Sequence, residues 1–510
     1  MNLEKISESP VAPVRKDAGV IARGAVVNFL TLIAKLGRPL FYFLAARLYG
    51  TESYGLYFLA WTYIELLAGI ATLGLDRGIL RYIAHHNSLN EPHLEEDSFR
   101  TALHISTFSS AFMSLCLYFF ANPLSFYLHN EKLALPLQWM AFIVFFQAVS
   151  RILIQVPTAR KIMKYQFYLK GLLEPLLLTL LAVVFSRLGW GLRGLCAAHF
   201  ITMALVLFGS ILATLQYFPL RLWFHHSQSA FHWELFHFSR SMLLSDIVSN
   251  LNLRLDVILL GTVAPSTVMG IYGVMVQIAS VMQTIRLAFD PIANPLFSEA
   301  YARREMTRLS RTYKLLTRWV ILSTIPVLIM LSIYGADIAG MVGSQYRSGY
   351  PWLLILLSGT MILAFFGLSG YLLAMTGHPG TLLISNTVSL LVTGTFLYLT
   401  VHWLGPLGAA VGSAFVMIFS QSLLSWAVHK RLHIHAFSKN LWKPVAAGFL
   451  TAMILFFIPL SLHSPVWNVA IHFPILLALY LGFLFLFSLE EEENKLLRGL
   501  SQKIRRVRLV

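Results

Sequence analysis

An all-α membrane protein of about fourteen spanning helices is the fold this sequence predicts, and three observations carry the prediction. The 510 residues are 57% hydrophobic and only 12% charged, with a mean hydropathy of +0.68, whereas soluble domains average about 25% charged. Apolar runs of roughly 20 residues, the length that crosses a hydrocarbon core, recur from end to end without a domain-sized polar interval. The basic residues of the connections also alternate in abundance from one connection to the next, the pattern that sets orientation in a bilayer. The formal charge of +16 sits in those short connections, so anionic headgroups, not nucleic acid, are its expected partner.

In chain order, the first six helices are expected at about 20–48, 53–84, 99–121, 133–156, 169–187 and 192–217. A second six fall at about 236–261, 268–298, 312–335, 351–376, 380–402 and 405–429, and two more near 443–461 and 466–488. The corresponding division is a tail (1–19), a six-helix lobe (20–217), an inter-lobe linker (218–235), a second six-helix lobe (236–429), helices 13 and 14 (430–488) and a basic tail (489–510). Residues 1–17 have no short apolar region with a small-residue cleavage site, so no cleaved signal peptide is expected. With the N-terminus in the cytoplasm, the inner connections collect Arg160, Lys164, Lys170, Arg303, Arg304, Arg308, Lys430 and Arg431 among others. The balance is roughly 28 inside against about 5 outside, which places both termini in the cytoplasm.

The two halves resemble each other. Gly50-Thr-Glu-Ser-Tyr-Gly-Leu-Tyr57 returns as Gly261…Gly270-Ile-Tyr272, and Gly191-Leu-Arg-Gly194 returns as Gly405-Pro-Leu-Gly408. The offsets, about 211 and about 214 residues, point to a parallel repeat of six helices. Helices 13 and 14 stand outside it.

Intramembrane charge gathers in helices 1, 2, 7 and 8. Each charge costs about 2.5–3.5 kcal/mol at a helix centre, so these residues must face protein or a wet cavity. Helix 7 carries Asp246, Asn250 and Arg254 on one stripe, with Ser249, Asn252 and Asp256 on the stripe beside it. Helix 1 aligns Asn28, Thr31, Lys35, Arg38 and Tyr42, with a bend expected at Gly37 and Pro39. Helix 2 aligns Thr62, Glu65, Gly69, Thr72 and Asp76, with Arg77 alongside, and helix 8 offers Gln283, Arg286 and Asp290 before Pro291 and Pro295. Internal salt bridges, such as Asp76–Arg77 or Arg254–Asp256, are one reading of this set. Lys35 and Arg38, however, have no acid on their own stripe, and paired bases on a central helix suit an anionic ligand such as phosphate. Arg254 and Arg286 would face them from the second half. The acids would balance the field or bind a coupling cation or proton.

Other motifs read as ordinary. Cys116 and Cys196 fall within apolar runs as inert thiols. The pairs His85-His86 and His225-His226 are solvated loop residues, not a metal site. Glu490–Glu493 and the basic segment after it form an interfacial helix on the inner leaflet. No Walker A, Gly-x-Ser-x-Gly, HExxH or dinucleotide fingerprint occurs, and no outer connection is large enough to hold a catalytic domain. The chain is therefore expected to be neither an ATPase nor an enzyme, with no cofactor beyond a Na+ or H+ gradient.

Gly50…Tyr54-Gly-Leu-Tyr57, Leu73-Gly-Leu-Asp-Arg77 with Arg81, and Leu253-Arg-Leu-Asp256…Gly261…Gly270-Ile-Tyr272 together carry a family resemblance over essentially the whole chain. It resembles the polysaccharide-transporter branch of the multidrug/oligosaccharidyl-lipid/polysaccharide exporter superfamily, the flippases for O-antigen and related lipid-linked oligosaccharides. The resemblance implies two six-helix bundles in a V around a central cavity, often with two further C-terminal helices. It implies an undecaprenyl-diphosphate-linked oligosaccharide moved across the bacterial inner membrane by alternating access, its diphosphate drawn in by cavity Arg and Lys. Lys35, Arg38, Arg77, Arg254 and Arg286 are the candidate diphosphate ligands. Asn28, Glu65, Asp76, Asp246, Asn250, Asp256 and Asp290 are the polar or coupling candidates. The expected partners are the lipid-linked glycan, membrane lipids and other polysaccharide-assembly membrane proteins, with the chain a monomer. An ion-coupled multidrug-type antiporter or a lipid II flippase on the same fold are the alternatives.

Overall fold

The computed structural model describes residues 15–160, 162–224, 233–457 and 465–487. Among them the chain is helical throughout, without strands. The helices are α1 (Arg15–Ala71), α2 (Leu75–Leu89), α3 (Pro92–Tyr127), α4 (Ala134–Met140), α5 (Ile143–Ala159), α6 (Lys164–Gln166), α7 (Glu174–Arg187), α8 (Gly191–Leu215) and α9 (Leu220–Phe224). They continue with α10 (Trp233–Val263), α11 (Ser266–Leu287), α12 (Asp290–Ala302), α13 (Met306–Val342), α14 (Tyr350–Phe366), α15 (Ser369–Met375), α16 (Pro379–Leu404), α17 (Pro406–Leu432), α18 (Trp442–Phe457) and α19 (Pro465–Leu486).

Eleven described helical stretches are long and apolar enough to cross a membrane, fewer than the fourteen expected. Three reasons account for the gap. Gly50 breaks α1 into two helices (φ 76°, ψ 173°) that form one unbroken stretch, Gly37–Ala71. The charges of α10 keep it out of the set, and α18 is short. The chain is a multi-pass membrane protein.

Two bundles are evident from the packing. In the first, α1 packs on α5, α7 and α8, with α3 against α5; in the second, α14 packs on α13 and α17, and α16 on α10 and α17. Leu75 and Asp290, Pro92 and Met306, and Gly191 and Pro406 open equivalent helices, each pair about 215 residues apart, as a parallel repeat requires. That offset corrects the register of the first landmark. Gly55 and Gly270 are the matched glycines, in Tyr54-Gly-Leu-Tyr57 and Met269-Gly-Ile-Tyr272; Gly50 and Gly261 are not. The added α18 and α19 pack on α13.

Two expected helices are interrupted. Leu73 and Gly74 take left-handed backbone (φ 50° and 72°) between α1 and α2, and α11 gives way to α12 just before Pro291. The expected bend at Pro39 is not a break: α1 keeps helical dihedrals there, Gly50 being its one non-helical residue. The inter-lobe connection begins fastened to the first bundle. Arg100 Nε donates to the Leu222 carbonyl at 2.7 Å, and His104 Nε2 lies 2.8 Å from that of Trp223. Residues 225–232, with His225-His226, and 488–510, with Glu490–Glu493, lie outside the described residues.

The bundles meet along a seam of α1 and α2 against α10 and α11. At the Gly50 end they share one apolar core, with Tyr54, Tyr57, Phe58 and Trp61 of α1 buried together with Tyr272, Met275 and Ile278 of α11. At the opposite end the apolar core splits in two, one around Ile79, Phe99 and Ile152 that also takes in Leu235 of α10, the other around Phe297, Tyr313 and Leu372. The molecule is fused through one core at the Gly50 end; at the other end the cores separate while α2 and α10 stay in contact, and the polar residues lie between.

Candidate functional site: a charged cluster at the lobe seam

Small residues bring the backbones together on either side of the cluster. A Cβ on Gly55 would stand 1.9 Å from the Ser266 carbonyl oxygen and 2.7 Å from Gly270 N, and one on Gly270 would stand 2.0 Å from the Thr51 oxygen. Toward the other end, a Cβ on Gly74 would stand 2.3 Å from the Ser239 oxygen, and one on Gly78 would meet the Ser239 hydroxyl. Only glycine permits such approach of helix to helix.

Between these two contacts, α1 and α10 exchange charges across the seam. Arg254 of α10 donates to the Glu65 carboxylate of α1. Arg77 of α2 lies 2.5 Å from Asp246 of α10, and the Arg77 backbone N–H donates to Asp76 at 3.0 Å. Asn250 sits at the same face: a Cβ on Gly69 would lie 3.3 Å from its amide nitrogen and 3.8 Å from an Arg151 guanidinium nitrogen. The stripe Asp246, Asn250 and Arg254 thus faces the first bundle.

The neighbouring stripe of α10 does not line that space. Asn252 donates to the Asn386 carbonyl at 3.2 Å, and Asn386 lies 3.5 Å from the Ser249 hydroxyl. Asp256 accepts from Tyr272 at 2.7 Å and from Ser413 at 2.6 Å. This face of α10 is spent inside the second bundle. Asp256 pairs with hydroxyls, not with Arg254, so the expected Arg254–Asp256 pair gives way to one between lobes. The angular offset of the two stripes, read as two columns of one cavity wall, instead separates the seam from the interior of the second bundle.

Arg38 also finds an acid. It donates to Glu174 at the start of α7, and Lys170 lies 3.5 Å from the same carboxylate. Glu174 is 2% exposed, while Arg38 keeps 40%. The absence of an acid on its own stripe was a true reading of α1, but the partner comes from another helix. Phe167–Leu173, just before Glu174, is wound as a π-helix, a local widening that is frequent at functional positions. Beside it the buried His199 ring lies 2.6 Å (Nδ1) from the Tyr57 hydroxyl and packs against Trp61, tilted by 31° at a centroid distance of 4.1 Å. The same bond recurs one repeat later: Tyr272 meets Ser413 at 3.4 Å.

Arg286 is the candidate ligand that the structure removes from the cluster. It lies 3.4 Å from Asp290 and 3.5 Å from the Gly367 carbonyl, and its guanidinium faces the Tyr371 ring. There it ties the α11–α12 break to the α14–α15 break inside the second bundle, and Asp290 is used with it. Asn28 and Lys35 lie outside the described side chains. Glu174, Lys170, Arg151 and His199 are the members that sequence reasoning did not assign. The signal was present as Lys170 and Glu174, four residues apart in an otherwise apolar run.

Around the middle of the seam, then, Arg38, Arg151, Lys170 and Arg254 gather with Glu65 and Glu174. Four cations face two carboxylates, and several remain partly exposed: Arg254 by 27% and Glu65 by 23%. The arrangement can bind an anion carrying two charges by guanidinium forks. Among the described residues no group of three or more His, Cys, Asp or Glu side chains could hold a metal. His86 lies 2.9 Å from Glu91 instead. Cys196 is a buried free thiol, and Cys116 a partly buried one.

A family model for polysaccharide biosynthesis proteins matches residues 44–351, which covers α1 from Leu44 onward, the rest of the first bundle and the second bundle as far as the start of α14. The chain belongs to that family. It is 23% identical over 238 residues to the teichuronic acid biosynthesis protein TuaB of Bacillus subtilis (strain 168); the match takes in 45% of this chain and 48% of that protein, so the chain spans about half the length of the curated relative it matches. Its fold is similar to that of the lipid II flippase MurJ in an inward closed conformation (TM-score 0.71, 13% identity, 91% of this chain and 98% of that one). It is also similar to an inward-facing multidrug resistance MATE family transporter of the MOP superfamily (TM-score 0.66, 15% identity, 79% and 98%). The two-bundle fold expected from the sequence is thus shared with both of these structures.

Proposed function

We propose that the chain is a flippase that carries an undecaprenyl-diphosphate-linked oligosaccharide, an O-antigen or other surface-polysaccharide repeat unit, across the bacterial inner membrane by alternating access. The observation that carries this reading is the surplus of cations around Glu65 and Glu174, four against two carboxylates, with Arg77 matched by Asp246 farther along the seam. A diphosphate esterified at both ends bears one negative charge on each phosphorus, and two guanidinium forks, Arg38 and Arg254, reach into the seam from opposite lobes. The family's role in polysaccharide biosynthesis, the teichuronic acid relative and the flippase fold of MurJ agree with it.

Transport needs no bond made or broken by the protein, and we read the chain as a transporter without enzymatic activity. We read both termini as cytoplasmic from the basic connections, which would turn the fused Gly50 end outward and the end with separate cores toward the cytoplasm, where the substrate is assembled. The lipid tail stays in the bilayer while the diphosphate enters the seam. Asp256, bonded to two hydroxyls and to no basic side chain among the described residues, is the carboxylate we assign to ion coupling.

The test is reconstitution in proteoliposomes with a fluorescent polyprenyl-diphosphate sugar, its appearance in the opposite leaflet followed by quenching. Translocation that is lost in Arg254→Ala, with the protein still folded, supports the reading. Transport of an organic cation, with no response to the lipid diphosphate, would overturn it in favour of an antiporter.

A further inference from the structure

The pair at the middle of the seam has one partner on each lobe. Glu65 belongs to the first bundle and Arg254 to α10. At 1.5 Å per residue, Glu65 lies about 15 Å along the helix from the Gly55 contact and about 14 Å from the Gly74 contact. Arg38 and Glu174, by contrast, sit within one bundle, so their pairing survives any rigid movement of the lobes. The Glu65–Arg254 pair cannot. Separating the lobes strips Arg254 of its counter-charge at membrane depth, unless another anion takes the place of the carboxylate.

A phosphate group can do so. It presents to the guanidinium fork the same spacing of two anionic oxygens that a carboxylate presents. The displaced Glu65 is not abandoned either, because Arg38 and Arg151 also lie within electrostatic reach of it. The partial exposure of both side chains leaves the pair accessible to an incoming ligand.

We infer that Glu65 is an internal stand-in for the substrate phosphate. In the empty protein it neutralises Arg254 and, together with the Arg77–Asp246 pair nearer the α2 end, pins the lobes; an entering diphosphate displaces it from Arg254 and loosens the seam. The inference rests on the diphosphate reading above, and it gives Glu65 a definite sign. A residue that helps to build the binding site weakens binding when removed, whereas a competitor strengthens it. The exchange also makes lobe separation depend on load, since an empty transporter must break the pair with nothing to replace it.

The full chain in lipid nanodiscs decides the matter, with Glu65→Gln compared with wild type and with Arg254→Ala. Binding of a soluble-chain polyprenyl diphosphate is measured, together with lobe separation from spin labels at Ser88 and Arg303, exposed near the ends of α2 and α12, on a background lacking Cys116 and Cys196. Glu65→Gln should bind about tenfold more tightly, because the fraction of competent protein rises, and should show a larger fraction of separated lobes without ligand, with Arg77 and Asp246 still paired. Arg254→Ala should bind more weakly, and adding Glu65→Gln to it should restore nothing. Equal or weaker binding by Glu65→Gln than by wild type would overturn the inference. Failure of wild type to bind the lipid diphosphate would sink the diphosphate reading alone. A Glu65→Gln distance distribution identical to that of wild type would sink the inference whatever the ligand.

Discussion

Placing one methyl group at Gly55 tests whether the fused end of the molecule is one of two states. The Cβ of Gly55→Ala would lie 1.9 Å from the Ser266 oxygen and 2.9 Å from its carbonyl carbon, whereas close carbon–oxygen contacts settle at about 3.3–3.6 Å. The obstacle is backbone, so no rotamer relieves it, and α1 and α11 must part by about 1.4 Å at that level. Such a gap loosens the shared packing of Tyr54, Phe58, Tyr272 and Met275, since dispersion decays over less than an ångström. Overpacking of this kind costs roughly 1–3 kcal/mol. A conformation in which this end is open does not bear that cost, so the ratio of closed to open molecules should fall about 5- to 150-fold. Spin labels at Leu188 and Leu404, both exposed in the equivalent turns before α8 and α17, measure the ratio by pulsed electron resonance. Gly380→Ala, with nothing within 4 Å of its Cβ, is the control. A Gly55→Ala protein that folds and keeps the wild-type distance distribution would refute the reasoning.

Three further outcomes are expected. Arg38→Ala leaves the buried Glu174 with Lys170 alone and should destabilise the protein by about 1–3 kcal/mol, less than a fully buried pair because Arg38 is 40% exposed. Adding Glu174→Gln should restore thermal stability in detergent without restoring glycan transport, and recovery of both would show Arg38 to be structural only. His199→Ala removes the partner of the Tyr57 hydroxyl and the ring on Trp61; a loss of about 1–3 kcal/mol is expected by denaturant unfolding, and no loss would contradict the packing described. Asp256→Asn keeps hydrogen bonds to Tyr272 and Ser413, so it should fold as wild type but lose the dependence of transport on an ion gradient. Unchanged gradient dependence would remove Asp256 from coupling.

Much of the architecture was legible because the bilayer imposes it. Helix lengths, the alternation of basic connections and the repeated Tyr-Gly-Leu-Tyr and Met-Gly-Ile-Tyr turns are all written in local sequence. The register of the repeat differs by a few residues from the first landmark, since Gly50 breaks α1 and Gly261 lies near the end of α10 without the two being equivalent, while Gly55 and Gly270 touch each other. The helical period of α10 separated its two polar stripes correctly, but a period gives angles on one helix and not the neighbour that each angle meets. The Ser249, Asn252 and Asp256 stripe therefore looked like cavity wall until α16 and α17 were in place. Pairings between helices were the least legible part. Glu174 lies 136 residues from Arg38, and Glu65 lies 189 from Arg254, distances at which no spacing rule operates.

The two arginines near the start of each repeat show what the repeat has changed. Arg38 and Arg254 lie about one repeat length apart, on the helices that open the two bundles, and each is neutralised by a glutamate. One glutamate comes from the same bundle and the other from the opposite one. Had both pairs been internal to their lobes, Arg77 with Asp246 would alone resist separation, and the cluster would bind anions without linking them to movement. Had both crossed the seam, three pairs, Arg77 with Asp246 among them, would have to break in every cycle for each diphosphate admitted. One fixed pair and one crossing pair give a site in which the Arg38 fork stays oriented through the cycle while the Arg254 fork changes partner. The asymmetry between two halves of common plan is thus the feature that lets binding act on the position of the lobes.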